Sequence, residues 1–295
     1  MLLQLYRKII PLHFRQKMYN WLVGDIVFFF RHFSILAKAK LRHWFYFVFA
    51  KSEENKAMAF IGKHGITSYP YPYMLEYRNR TIEVLTDPQK QLPFVLHNEK
   101  RLYFPQSYSR DKVIKDYRAL ITEQDARSSH RYVNSYEELR GRTLLDVGAA
   151  EGIFSLDTIE LTDQTILFEC MDHWQAALEA TFAPWQEKVK IVKKFVGNKT
   201  EGNYVKLDDY FSIDVSDLFI KMDIEGAERI ALEGASKILA HGKNMQVSVC
   251  TYHRPGDPEF MNDLLTRNGF QTEFSQGLMY WNKRLSKGLI RAKKP

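Results

Sequence analysis

Two groups of residues in this chain have the types and spacing that chemistry needs. The first is Asp146-Val-Gly-Ala-Ala-Glu-Gly152, where an apolar strand runs into a glycine-containing turn and then into a helix from Ile153. Such a turn lets backbone N–H groups come close to a ligand. Gly148, Ala150 and Gly152 form it, and Asp146 is placed to steady the loop or a water. Glu169 ends the next apolar strand, 21 residues after Gly148. That is about the interval at which an acid reaches a bound ribose. The unit reads as a nucleoside-cofactor site on an open α/β sheet, without saying which nucleoside. Ala150 holds the place between the two glycines, and a negative φ would let it fit.

The second group is Asp217-Leu-Phe-Ile-Lys-Met-Asp-Ile-Glu-Gly-Ala-Glu-Arg229. Its strand ends at Asp223 and a helix starts near Ala227, so Asp223, Glu225 and Glu228 crowd one junction. In an open α/β sheet, ligands sit beyond the carboxyl ends of the strands. Asp223 therefore faces the place where the first turn puts a cofactor, whereas Glu228 reads as an acid complementing a helix N-terminus. His253 and Arg254 follow the next strand on the same edge. A polar run from Glu123 to Tyr132, containing His130 and Arg131, either folds over the site or is a solvated linker. His64, His97 and His241 have no partner pattern and read as surface or core residues.

The elements that position these groups alternate from Thr143 onward. Strands are expected at 143–147, 165–170, 189–193, 217–223 and 246–252, with helices near 153–162, 173–182, 227–240 and 258–268. This alternation implies a mostly parallel sheet covered on both faces. Closing strands at 270–275 and 277–283, joined at Gln276-Gly277, are too close for a crossover and must be antiparallel. Upstream, Leu92 to Pro105 reads as a hairpin turning at Asn98-Glu99-Lys100, and Arg110 to Ile121 as a helix. Residues 60–80 read as a loop.

The chain has 295 residues and a net charge of +7. The whole excess lies in residues 1–56, with ten Lys and Arg against three acids. That segment reads as helical: Leu2, Leu5 and Ile9 share one face before Pro11. A second pattern is Phe14, Met18, Trp21, Leu22, Phe29, Phe33 and Leu36, with Phe28 and Phe30 adding to the apolar content, and an aromatic piece spans Leu41 to Ala50. Interleaved aromatic and basic residues suit an anionic membrane surface better than nucleic acid. The apolar stretch Trp21–Leu36 reaches only about 24 Å as a helix, short of a ~30 Å hydrocarbon core. The start reads as neither a membrane span nor a signal peptide. Cys170 and Cys250 have no metal or CxxC spacing and are expected buried and reduced.

Taken together, Asp146-Val-Gly-Ala-Ala-Glu-Gly152, Val205-Lys-Leu-Asp-Asp-Tyr210 and Lys221-Met-Asp-Ile-Glu-Gly-Ala-Glu228 resemble the FkbM family of S-adenosylmethionine-dependent methyltransferases. The resemblance covers roughly residues 143–283. It implies a class I methyltransferase fold, an α/β Rossmann-like sheet of seven mostly parallel strands with an antiparallel edge, here preceded by an N-terminal helical region. It implies S-adenosyl-L-methionine as cofactor, held at Asp146, Gly148, Ala150, Gly152 and Glu169. It also implies methylation of a hydroxyl, often on a sugar or polyketide. The hydroxyl must lose its proton, so Asp223 or His253 serves as base, and holding the hydroxyl near the methyl group supplies much of the rest. Asp223 and His253 could alternatively share a divalent metal that acidifies the hydroxyl. His130, Arg131 and Arg254 are the candidates for substrate binding.

These readings divide the chain into a basic apolar helical region (1–56), a hairpin-containing lid or substrate-shaping segment (57–135) and a methyltransferase domain (136–295). The expected activity is O-methylation of a saccharide in cell-surface polysaccharide biosynthesis, on a lipid-linked or nucleotide-linked precursor, in the cytoplasm or peripherally on its membrane, without nucleic acid. An NAD-dependent oxidoreductase shares the turn and Glu169. A catalytically inactive membrane-peripheral scaffold is the other alternative. The sugar, the hydroxyl, metal dependence and oligomeric state are not encoded in these patterns.

Overall fold

The computed structural model describes residues 26–44, 52–211 and 215–295. The chain divides into two compact units after Pro70. The expected helix at 2–10, Trp21 and the piece 45–50 lie outside the described residues. In the first unit, α1 (Ile26–Trp44) and α2 (Glu53–His64) pack together. Ser52 caps α2 by accepting from the Asn55 N–H, which satisfies one orphan donor of the helix start. Gly62 permits the close approach, because a Cβ there would run into the Ala39 carbonyl. The expected boundary at 56–57 falls inside α2, and the expected loop at 60–80 begins as its last turn. No helix among the described residues is long and apolar enough to cross a membrane.

The second unit holds the sheet. After α3 (Met74–Arg78) come a small antiparallel sheet, β1 (Leu85–Thr86), β2 (Pro93–His97) and β3 (Lys100–Tyr103), and then α4 (Arg110–Glu123). The main succession follows: β4 (Thr143–Val147), α5 (Ile153–Thr158), β5 (Gln164–Phe168), α6 (Asp172–Phe182) and β6 (Val189–Val192). Short pieces β7 (Phe195–Val196), β8 (Tyr204–Val205) and α7 (Leu207–Tyr210) lead to β9 (Leu218–Met222), α8 (Glu228–Glu233), α9 (Ser236–His241) and β10 (Met245–Cys250). The chain closes with α10 (Asp257–Arg267), β11 (Gln271–Phe274), β12 (Met279–Trp281), β13 (Arg284–Ser286) and β14 (Leu289–Lys294).

The seven-stranded sheet has the order β11-β14-β10-β9-β4-β5-β6. Strand β14 pairs antiparallel with both β10 and β11, and the other pairings are parallel. The single reversed strand therefore lies one place in from the edge. The central strands are apolar runs because both faces are buried; every residue of β9 is buried, Lys221 included.

Two sequence expectations are corrected here. The expected strand 277–283 is instead the start of a separate hairpin, β12–β13, and the reversed strand is 289–294. Asn282 and Lys283 take positive φ values of 43° and 65°, the geometry of a tight two-residue hairpin turn. The expected helix 227–240 breaks between Glu233 and Ser236. At Gly234 a Cβ would strike the Gly197 carbonyl.

One face of the sheet packs α8, α9 and α10 against Val147, Ile220 and Val249. The other packs α5 and α6 together with the upstream hairpin and α4, joining Leu102, Phe104, Val113 and Tyr117 to Leu167 and Phe182. The hairpin and α4 are thus part of the domain's second layer. His97, on β2, is buried there between Tyr117 (3.0 Å) and Asp157 (2.8 Å).

Candidate active site

At the carboxyl edge of the sheet, β4 ends in the turn Gly148–Gly152. Gly148 and Gly152 both have φ of 79°, and Ala150 has φ of 48°. The expected negative φ at Ala150 is not found; the turn needs a left-handed residue there, and alanine adopts it at a cost of about 1–2 kcal/mol. A Cβ on Gly148 would run into the Asp223 carbonyl, so glycine is what lets the β4 and β9 ends approach. Gly152 faces elsewhere: its missing Cβ makes room for the Phe182 ring.

Glu169 is buried and stitches the turn to the next strand. One carboxylate oxygen accepts from the Ala150 N–H (2.9 Å) and the other from the Met171 N–H (2.7 Å). Each oxygen retains a lone pair. A cavity of about 460 Å³ opens beside it, walled by Gly148, Ala150, Phe168, Glu169, Met171 and Trp174, with Asp223 and Ile224 opposite. Cys170 also borders this cavity and is only partly buried, against expectation, while Cys250 is fully buried; both are free thiols.

Asp146 does not reach the cavity. It is buried, accepting from the Ser155 hydroxyl (2.7 Å) and pairing with Lys221 (2.8 Å). Lys221 in turn donates to the Gly148 carbonyl (2.6 Å), so the pair clamps the turn from below. Burial pulls the Lys221 ammonium down, but Asp146 and Asp223 outweigh it and its pKa lies above the ordinary value. Burial pushes the Glu151 carboxyl, in the middle of the turn, up to about 8.

Asp223 is the centre of the second group. Tyr132 donates to it (3.0 Å), and His130 Nε2 stands 3.5 Å from the same oxygen. His253 Nε2 lies 3.7 Å from the other oxygen. Burial raises Asp223, but His130, Lys221 and His253 together hold it well below the usual carboxylate range. It stays ionised and is a weak base. His130 is fully buried; burial pulls it down, and Glu123 with its other neighbours holds it well above the ordinary imidazole value.

His253 has the geometry of a base. Its Nδ1 lies 2.8 Å from the buried carboxylate of Glu228. Glu228 also accepts from the Ile224 and Gly226 N–H groups, which fixes it. The imidazole is thereby oriented with Nε2 buried and, among the described residues, without a hydrogen bond, toward Asp223 and Glu225. Burial lowers His253 and Glu228 more than offsets it, so its pKa is raised. Asp223, Glu228 and His253 offer three donor atoms within 4.8 Å, and His130, Asp223 and Cys250 offer another three; either set could hold a metal.

The expected substrate residues separate. His130 joins the Asp223 network. The Arg131 guanidinium donates to the Gln124 carbonyl and the Tyr136 hydroxyl and lies over the Tyr136 ring, so it serves the segment's own folding. Arg254 is exposed beside Gly226. The run 123–135 is no solvated linker: Ser128, Ser129, His130, Tyr132 and Val133 are buried. Tyr132, Glu123 and the Glu228–His253 pairing escaped the sequence reading. The only signal was the helix-start acid three residues after Glu225.

The strand order and this edge site define a class I methyltransferase fold. Residues 146–272 match the family model described as methyltransferase FkbM domain. The oxidoreductase alternative is set aside by this match. Among solved structures, methyltransferase FkbM from Methylobacillus flagellatus KT aligns at 19% identity and a TM-score of 0.42, covering 63% of this chain and 56% of that one. The chain thus spans little more than half of that protein. Magnesium protoporphyrin IX methyltransferase from Synechocystis PCC 6803, with bound SAM, aligns at 14% identity and TM-score 0.41, over 64% of this chain and 86% of the other. A putative RNA methyltransferase from Pyrococcus horikoshii aligns at 14% and 0.35, over 52% and 74%. No curated protein matches the chain.

Proposed function

We propose that the chain transfers a methyl group from S-adenosyl-L-methionine to a hydroxyl of a saccharide. The observation that carries this is one continuous edge: the Gly148 turn and Glu169 wall a cavity whose opposite side is Asp223, and the unbonded His253 Nε2 stands beside that carboxylate. The cavity fits the donor. Its volume lies in the range of about 300–1,000 Å³ typical of small-molecule sites. Phe168, Met171, Trp174 and Ile224 suit a purine, and the Glu169 lone pairs suit ribose hydroxyls. When bound, S-adenosyl-L-methionine supplies a methyl group on a sulfonium.

The residues of the chain do the rest. His253 Nε2 takes the hydroxyl proton as the oxygen–methyl bond forms. Glu228 holds the ring in the tautomer that leaves Nε2 free. The Asp223 carboxylate favours the imidazolium that results, and water then removes the proton. A divalent ion shared by Asp223, Glu228 and His253 is the competing use of the same atoms. The short Nδ1–Glu228 contact supports the base reading; loss of turnover on chelation, restored by Mg²⁺, would support the ion.

A saccharide rather than a nucleic acid fits the cluster of carboxylates on this edge. The basic excess in residues 1–56 supports work at an anionic membrane, on a lipid-linked or nucleotide-linked polysaccharide precursor made on the cytoplasmic side. The test is mass spectrometry of glycans from cells with and without the protein. A loss of about 14 mass units, one CH₂, is expected on one sugar; identical glycans would sink the saccharide assignment.

A further inference from the structure

Strands β11 and β14 pair directly, and the connection between them, at the carboxyl edge of the sheet, carries the β12–β13 hairpin. This hairpin is tied down at its root, through Leu278 and Ser275, and at its tip, through Arg284. The Leu278 N–H donates to the Tyr71 hydroxyl (2.7 Å), the Ser275 hydroxyl to the Ser129 carbonyl (2.5 Å), and Arg284 to the Tyr252 carbonyl (2.8 Å). Met279 and Tyr280 are buried. The tip carries Trp281, which is 37% exposed. Its indole stands edge-on to His253, with ring centroids 6.1 Å apart, and edge-on to Tyr252 at 5.5 Å. On another side of His253 lies Glu225, its side chain 79% exposed and 3.6 Å from Nε2.

A large aromatic held at the tip of an anchored hairpin is not needed by the core. It gives the imidazole two open neighbours of different chemistry, an indole and a carboxylate. Resting on the saccharide reading above, we propose that Trp281 and Glu225 form the acceptor subsite, the indole stacking on the C–H face of a pyranose and the carboxylate accepting its hydroxyls. An indole face is electron-rich and attracts the weakly positive C–H hydrogens of a sugar. A carboxylate makes charge-assisted bonds to hydroxyl rims. A nucleobase would also stack, but Glu225 and Asp223 would repel the closely spaced phosphates of a nucleic-acid strand.

The test uses the full chain labelled with 5-fluorotryptophan, whose five tryptophans give fluorine resonances. Trp281→Phe and Trp174→Phe assign two of them. S-adenosylhomocysteine should move the Trp174 resonance, since Trp174 walls the cofactor cavity. A set of methyl hexopyranosides, added next, should move the Trp281 resonance saturably for at least one sugar. Glu225→Gln should weaken that response about tenfold. A Trp281 resonance indifferent to every glycoside, while Trp174 still responds, overturns the subsite and leaves the cofactor reading standing. Movement of Trp281 by a short oligoribonucleotide alone overturns it in favour of nucleic acid. A Trp174 resonance indifferent to S-adenosylhomocysteine removes the cofactor reading and the subsite with it.

Discussion

The two halves of the carboxyl edge are built by different means. The half beneath β4 and β5 is made of backbone: a turn with three left-handed residues, two N–H groups on Glu169, and a glycine pressed against a neighbouring strand end. The half beneath β9 and β10 is made of side chains gathered from far apart, with Glu123, His130 and Tyr132 meeting Asp223, Cys250 and His253. Backbone sites tolerate little change in shape. Side-chain networks tolerate shape changes better but depend on each proton and charge. The first half should therefore fail by steric insult, and the second by chemical substitution.

The largest effect is expected in the backbone half. Gly148→Ala places a methyl against the Asp223 carbonyl at a φ of 79°. Overpacking and left-handed strain together predict a loss of about 2–5 kcal/mol, with no measurable binding of S-adenosylhomocysteine. Thermal unfolding and calorimetry check both. A stable variant that still binds would show that the two strand ends separate readily, and the contrast would lose its first term.

The chemical half should answer to His253→Ala by losing turnover about a hundredfold or more, with cofactor affinity changed much less. Its pH profile carries a sign. Because the His253 pKa is raised, a rate that needs neutral imidazole has its rising limb at higher pH than an ordinary imidazole would give. Removing the Glu228 charge lowers that pKa, so Glu228→Gln should shift the rising limb to lower pH while reducing the maximum rate. A limb that stays in place under Glu228→Gln would mean another group titrates.

The sequence was informative in proportion to how local each feature is. The β4 turn, Glu169 and the parallel strands were readable because buried parallel strands are apolar runs and left-handed turns favour glycine. The partners of Asp223 were not. Tyr132 lies 91 residues away in sequence, and nothing in a polar run announces which side chains will be buried. Glu228 looked like an ordinary helix-start acid, and it is one, accepting two N–H groups there; its bond to His253 is a tertiary fact. Strand β14 was missed because Leu-Ile-Arg-Ala-Lys-Lys reads as a basic tail. It is held between β10 and β11, with Leu289, Ile290 and Ala292 buried.

A middle-sized effect tests where backbone and side chain meet. Glu169→Gln keeps the shape but replaces a charged acceptor of two N–H groups. Affinity for S-adenosylhomocysteine should fall by about 1.5–3 kcal/mol, the usual range for bonds to a charged group. Calorimetry giving unchanged affinity would remove Glu169 from the cofactor site and leave it a purely structural stitch.

The smallest effect is the sharpest test of the contrast. Ala150→Gly removes one methyl group from the turn and relieves left-handed strain of about 1–2 kcal/mol. The freer unfolded chain takes back roughly 0.4–1 kcal/mol of that. The net gain should be about 0.5 kcal/mol, a rise of about 1–2 °C in Tm for a domain of this size. If the cofactor half is truly a backbone site, S-adenosylhomocysteine affinity should change by less than about threefold, since the N–H that Ala150 offers to Glu169 survives the substitution. A tenfold loss with an unchanged Tm would mean that the Ala150 methyl group is itself a wall of the site. The turn would then select its ligand by side-chain contact, as the acceptor half does.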